Sequence, residues 1–373
     1  MSHTAYVHAC RPLRIYWEVT RACDLACRHC RATAVPDADP DELTHREALR
    51  LIAQLEAFGD PLPHLVFTGG DPLKRADLFE LIAAARHIGF RVSVAPSATP
   101  LLTREALVAL HDAGIDAISL SLDGSTALRH DAIRGIERTF DHTLSAAAVA
   151  RAIGLPFQVN TVVCGDTADD LPAIYDRVRA MGAARWSLFF LVSVGRGRVL
   201  QAIAAERAEE ILLWAASLAA THRPGDPIVT TTEAPQMRRV SQQFRKACGG
   251  TNPQGQHATH GAGIRDGNGV MFISHTGDIT PSGFLELRLG NVRHDDVVAV
   301  YRHSWLFTEL REPDRFYGRC GGCEYHWVCG GSRARAYAAT GNPLGEDPLC
   351  PYQPAATRPD ADETENLLRP VLS

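Results

Sequence analysis

A chain of 373 residues, 45% hydrophobic and 22% charged, has an ordinary globular balance and too much length for one small core. Its net charge of −5 and pI near 6.3 exclude the basic surplus of a nucleic-acid-binding protein. No apolar run reaches the roughly 18 residues of a membrane span, and MSHTAYVHACRPLR lacks an apolar signal-peptide core, so a cytoplasmic location is expected.

Residues 1–12 read as an N-terminal arm. RIYWEV (14–19) is apolar and rich in branched and aromatic residues, which predicts a buried strand. The loop after it holds Cys23, Cys27 and Cys30. Thr44 and Glu47 form a T-x-x-E capping box and predict a helix over about 47–58. HLVFTGG (64–70) predicts a strand running into a glycine turn. Helix 75–88, strand 91–96, helix 103–113, strand 117–124, helix 138–153, strand 156–163, helix 170–181 and strand 185–192 follow. Six such units within 13–222 predict an α/β fold with a parallel sheet, a partial (β/α)6 TIM-like barrel. Chemistry in such folds gathers at the C-terminal ends of strands. A helix over about 204–221 ends this part.

Residues 223–268 read as a linker region. It opens with the turn-rich HRPGDP, and 246–268 is rich in Gly, His, Asn and Gln. GVMFIS (269–274) and GDITPSG (277–283) predict a hairpin that opens a small C-terminal domain over 269–357. Residues 358–373 read as a tail.

Ten cysteines in a reducing compartment point to metal or catalysis rather than disulfides. Seven fall into two clusters, and Cys10, Cys164 and Cys248 stand alone. A lone cysteine reads as a small buried hydrophobe. The first cluster, C-x3-C-x2-C, is one ligand short of a closed tetrahedral or cubane site. Either a fourth ligand comes from elsewhere or one metal position is open. The second, Cys320, Cys323, Cys329 and Cys350, spaced C-x2-C-x5-C-x20-C, supplies four thiols for a closed site. Spacing alone leaves zinc and iron–sulfur both open there.

C-x3-C-x2-C at the end of a first barrel strand resembles the radical S-adenosylmethionine (SAM) superfamily. The resemblance implies that Cys23, Cys27 and Cys30 hold a [4Fe–4S] cluster whose fourth iron is left to SAM, so that one electron yields a 5′-deoxyadenosyl radical. It implies further SAM contacts in chain order. His29 stands where an aromatic packs near the adenine. Gly69-Gly70-Asp71 stands where the family has GGE, with a carboxylate one methylene shorter. Ser97 follows the third strand, Ser121 and Asp123 match a ribose-contacting position, Arg134 resembles an arginine that pairs with the SAM carboxylate, and Asn160 matches a polar contact on the fifth strand. The tail resembles a SPASM or twitch extension, which implies one auxiliary [4Fe–4S] cluster on Cys320, Cys323, Cys329 and Cys350. A second auxiliary cluster is not expected, because Ser282 and Ser332 stand where further cysteines would be. No catalytic acid or base stands out.

WEVTRACDLACRHCRA, FTGGDPLKRADLF, PSATPLLT, FFLVSVGRGR and the 318–350 segment are similar to the haem-maturation branch. That implies an oxidoreductase or lyase that trims or decarboxylates tetrapyrrole side chains after hydrogen abstraction. Carboxylates of such a substrate want arginines, and Arg129, Arg196, Arg198, Arg333 and Arg335 are candidates. His257, His260 and His275 are candidates for haem iron. A maturase of ribosomal peptides is the alternative, against which stands a short N-terminal arm with no room for a leader-binding domain. A non-catalytic metal-binding scaffold is the second alternative. A reducing partner such as flavodoxin or ferredoxin is implied, and neither nucleic acid nor membrane is expected as a partner.

Overall fold

A computed structural model describes residues 8–248 and 263–354. In chain order the first half reads β1 (Arg14–Thr20), α1 (His45–Leu55), β2 (His64–Gly69), α2 (Leu78–Ile88), β3 (Val92–Val94), α3 (Arg104–Asp112), β4 (Ala117–Ser121), α4 (Ala127–Arg134), α5 (Thr139–Ala152), β5 (Phe157–Val163), α6 (Leu171–Met181), β6 (Arg185–Phe190) and α7 (Ala205–Ala220). The expected alternation is present. Strands β1 to β6 pair in sequence order, all parallel. Ile15, Trp17, Leu65, Phe67, Ile118, Leu120, Val159 and Leu188 are fully buried between sheet and helices, as parallel strands covered by helices must be. Thr44 caps α1 in the expected box: its side chain accepts from Glu47 N, and the Glu47 carboxylate accepts from Thr44 N.

The span 223–268, expected as a linker, departs from that reading. It carries β7 (Ile228–Thr232), which pairs parallel to β6, and α8 (Gln236–Ala247), which packs on α7. From β1 to β7 the sheet is therefore parallel throughout. IVTTT is short and follows a proline-rich turn, which hides it as a strand. α4 is also unforeseen, because ALRHDAIR is short and half of its residues are polar.

The C-terminal part comprises β8 (Val270–Ile273), β9 (Asp278–Thr280), β10 (Gly290–Asn291), α9 (Val297–His303), α10 (Trp305–Arg311), α11 (Gly318–Gly322) and α12 (Arg333–Thr340). β8 and β9 form the expected antiparallel hairpin. β8 also lies parallel to β1, Arg14 opposite Val270 through Trp17 opposite Ile273. One ten-stranded sheet, in the order β10-β9-β8-β1-β2-β3-β4-β5-β6-β7, thus runs through barrel and tail. No helix among the described residues is long and apolar enough to cross a membrane. The 358–373 tail, His257 and His260 lie outside the described residues.

Candidate functional site

The three-cysteine loop leaves the C-terminal end of β1 and is fastened on three sides. Cys23 N donates to Val35 O at 2.7 Å, which closes the loop on itself. Arg28 N donates to Ile133 O at 2.9 Å, at the end of α4. Arg196 N donates to Cys30 O at 2.9 Å, from the segment after β6. Cys23 and Cys27 are buried and Cys30 half-buried. Gly195, at φ +52°, rests on this loop so closely that a Cβ would lie 2.2 Å from Arg31 O and 2.6 Å from Cys30 O. Both contacts are backbone and cannot step aside. Gly195→Ala is therefore expected to displace the loop and slow SAM cleavage about 100-fold, as an ångström-scale misplacement does; iron per chain and 5′-deoxyadenosine formation measure it.

The glycine turn after β2 packs beside the loop. A Cβ on Gly70 would sit 2.3 Å from Ala22 O, so only glycine fits. Ser97 ties the turn to the thiols: its Oγ donates to Gly70 O at 2.9 Å and lies 3.5 Å from Cys23 Sγ. Asp71 follows the two glycines. Its carboxylate is fully buried and spent inside the fold, accepting from Thr99 Oγ1 at 2.9 Å, Leu73 N at 3.2 Å and Ser97 N at 3.3 Å. Burial raises its pKa, and the Thr99 hydrogen bond opposes that shift. Asp71 thus braces the glycine turn and Ser97.

Asp123 is likewise turned inward rather than toward a ribose. Its Oδ1 accepts from Val162 N at 2.7 Å, and its Oδ2 pairs with Arg134 Nη2. Arg134 in turn directs Nη1 at Cys27 Sγ, 3.7 Å away. Burial raises the Cys27 thiol's pKa, and the Arg134 charge pulls it back. His29 and His130 complete this buried group. His130 Nδ1 accepts from Asp123 N at 3.0 Å, and burial holds both imidazoles at a pKa of about 4, so both are neutral. His29 Nδ1, His130 Nε2, Arg134 Nε and Arg196 Nε and Nη2 are buried with no partner among the described residues. Orphaned polar atoms at such density mark a place built for a polar ligand. Ser121 and Asn160 face each other across β4 and β5, and Asn160 Oδ1 accepts from Gln158 Nε2 at 2.6 Å.

A charge network at the same end of β1 escaped the sequence reading. Buried Glu18 pairs with Arg31 Nη2 at 2.7 Å and with His275 Nδ1 at 2.6 Å, and His275 Nε2 lies 3.4 Å from Asp39. His275 is thus held by two carboxylates rather than free to ligate haem iron. Arg31 stacks on Phe272 of β8 at 4.3 Å. Although burial opposes it, the Arg31 charge and the His275 hydrogen bond hold Glu18 at a pKa of about 2. Burial likewise opposes the rise in His275, which its Glu18 hydrogen bond carries above the ordinary 6.5. Glu18's contribution to stability is present above its unfolded 4.5 and is lost as pH falls through about 2. His275's is present below 6.5 and is lost as pH rises through its raised folded value. Anaerobic melts are therefore expected to peak between pH 4.5 and 6.5, and His275→Gln to flatten the alkaline limb. Glu286, whose pKa burial raises, sits among Arg31, Arg21 and Arg198 at this mouth.

The second cysteine group lines one cavity: Cys320, Cys323, Cys329 and Cys350, with Arg239, Arg319 and His326 around them. Each sulfur has a backbone N–H neighbour: Asp347 N to Cys320 and Tyr325 N to Cys323, both at 3.4 Å, Gly331 to Cys329 and Tyr352 to Cys350. Burial lifts the Cys329 thiol to about 12 and the Cys323 thiol to about 11. Ser282 and Ser332 are engaged locally. Ser282 Oγ accepts from Phe284 N and Leu285 N, and Ser332 Oγ caps α12. Arg333 and Arg335, expected at the mouth, are buried instead; Arg335 pairs with Asp347 at 3.0 Å. Arg129 and Arg198 are exposed. Cys164 is a fully buried hydrophobe, whereas Cys10 and Cys248 are exposed.

The radical SAM superfamily model matches residues 17–178. The chain is 40% identical to the AdoMet-dependent heme synthase of Oleidesulfovibrio alaskensis over 95% of this chain and 90% of that one. It is 39% identical to the enzyme of the same name from Nitratidesulfovibrio vulgaris, over 92% and 94%. Its fold is similar to that of Streptococcus suis SuiB bound to precursor peptide SuiA, with a TM-score of 0.71, 15% identity and coverage of 94% of this chain and 78% of that one. A relative this similar over nearly its whole length, on a fold with three cysteines at the end of β1, makes this chain a member of the radical SAM superfamily, an enzyme of the family that includes the AdoMet-dependent haem synthases.

Proposed function

We propose that the enzyme acts on the side chains of a tetrapyrrole, with SAM and a [4Fe–4S] cluster at Cys23, Cys27 and Cys30 and one auxiliary [4Fe–4S] cluster at Cys320, Cys323, Cys329 and Cys350. The observation that carries the reading is 40% identity to a haem synthase across 95% of the chain. When bound, the first cluster and SAM supply a 5′-deoxyadenosyl radical that takes a hydrogen atom from substrate. The residues do the rest by position. Ser97 and the Gly69-Gly70 backbone hold one side of SAM, and Ser121 and Asn160 line the strand ends opposite. Arg134, oriented by Asp123, offers its charge to the SAM carboxylate, and His29 packs by the adenine. The neutral imidazoles and buried walls keep water from the radical. Arg21, Arg31 and Arg198 around Glu286 suit substrate propionates.

In support of the auxiliary cluster, the four tail thiols line one cavity, backbone N–H groups lie 3.4 Å from Cys320 and Cys323, and guanidinium groups of Arg333 and Arg239 lie 3.6 Å from Cys320 and 3.8 Å from Cys350. The locally bonded Ser282 and Ser332 support one auxiliary cluster rather than two. The proposed enzyme is cytoplasmic and takes its electrons from flavodoxin or ferredoxin. Anaerobic reconstitution, dithionite and SAM with an iron porphyrin carrying propionates are expected to give 5′-deoxyadenosine and a porphyrin in which a propionate has lost one hydrogen atom to the 5′-deoxyadenosyl radical, then carbon dioxide and one electron, the electron going to the auxiliary cluster. Nucleoside formation with an unchanged porphyrin would overturn the substrate, and a peptide cross-link in its place would make the enzyme a maturase.

A further inference from the structure

We propose that Arg238, Arg265 and Arg333 form a cationic cage that favours the reduced state of the auxiliary cluster and raises its reduction potential. The inference rests on the auxiliary-cluster reading above and concerns what the chain does to that site.

Six arginines surround the four thiols or the helix behind them, and they divide by partner. Arg239 pairs with Glu209 at 2.6 Å, Arg319 with Glu346 at 2.9 Å and Arg335 with Asp347 at 3.0 Å. Arg238, Arg265 and Arg333 form no ion pair with a carboxylate among the described residues. Arg333, fully buried, spends its donors on the carbonyls of Gly331, Pro343 and Gly345, and its Nη2 lies 3.6 Å from Cys320 Sγ. Arg265, also buried, donates to the carbonyls of Leu310 and Gly263, and its Nη2 has no partner. Asp266 lies near, but its Oδ2 accepts the backbone N–H groups of Arg333 and Ala334. Arg238 Nη1 is a further buried orphan. Both Arg238 and Arg265 face Cys329 electrostatically.

Three like charges set together in a desolvated place repel one another. Burial depresses Arg265 to about 9 and Arg238 to about 10, and Arg333 and Arg238 add to the depression at Arg265. Such a group is stable when a negative body lies beside it, and the three stand behind the thiol cavity, Arg333 against Cys320 and the other two toward Cys329. Four thiolates about an iron–sulfur core leave that body negative, and reduction adds one electron and no proton, hence one more negative charge. At low dielectric the guanidinium groups therefore stabilise the reduced form more than the oxidised one.

The test is a potentiometric titration of reconstituted holoenzyme followed by electron paramagnetic resonance, in the wild type, Arg238→Met, Arg238→Lys and Arg265→Met. The auxiliary signal is the one that SAM leaves unchanged. Its midpoint is expected to fall in both Met variants by about 59 mV, a tenfold shift in a one-electron equilibrium, and to return in Arg238→Lys, while the SAM-sensitive midpoint stays fixed. Midpoints that stay or rise in both Met variants overturn the cage. Zinc in the tail, with no SAM-insensitive signal, overturns the auxiliary-cluster reading and the cage with it. Arg265→Met stands in if Arg238→Met loses its cluster.

Discussion

Cys27→Ala is expected to abolish formation of 5′-deoxyadenosine while leaving about half of the iron, that of the auxiliary site. In the proposed assignment Cys27 is the middle ligand of the loop, and Arg134 Nη1 lies 3.7 Å from its sulfur. Two thiols cannot hold a cubane that already leaves one iron to its ligand. The tail cysteines lie on other elements, α11 and the loops around α12, so their cavity keeps its walls. Iron and sulfide counted per chain, with nucleoside assayed after dithionite and SAM, separate the two sites. Nucleoside from this variant would remove the loop from the chemistry.

Arg134→Leu is expected to cost both stability and turnover. The guanidinium bridges Cys27 and the buried Asp123, and its loss strands a carboxylate that keeps only the Val162 N–H. Breaking a buried pair from one side costs about 3–5 kcal/mol, enough to lower the melting temperature by several degrees. The double variant Arg134→Leu with Asp123→Asn removes the stranded charge and is expected to recover most of the melting temperature and none of the SAM cleavage. A double variant that recovers both would reduce Arg134 to a structural tie. Arg134→Lys keeps a charge but not the planar fork that spans two partners, and is expected to cleave SAM more slowly than the wild type.

The βα series was legible because fully buried parallel strands read as short apolar runs, and RIYWEV or RWSLFF offer little else. The cysteine loop was legible from spacing. Its fastening was not, since Ile133 and Gly195 meet it only through backbone contacts that no side-chain pattern records. Asp71 and Asp123 were legible as polar residues at strand ends, yet their direction was not. A Thr99 two residues past Ser97 turns the first inward, and an arginine on the following helix turns the second. Glu18 was hidden inside an apolar strand, and its partners His275 and Arg31 lie far away or beyond the cysteines. β7 was missed because only Ile228 and Val229 are apolar in a five-residue strand beside a proline turn, and α8 because its helix is largely polar.

The parallel contact between β1 and β8 has a consequence for the order of assembly. Arg14 meets Val270, so the strand that carries the cysteine loop keeps one bare edge until nearly three quarters of the chain has been synthesised. At ordinary elongation rates that interval is on the order of tens of seconds. During it Arg31 has no Phe272 to stack on and Glu18 has no His275. A nascent chain therefore offers its thiols from an unfinished strand until its last quarter begins to emerge and closes the open edge of the first strand.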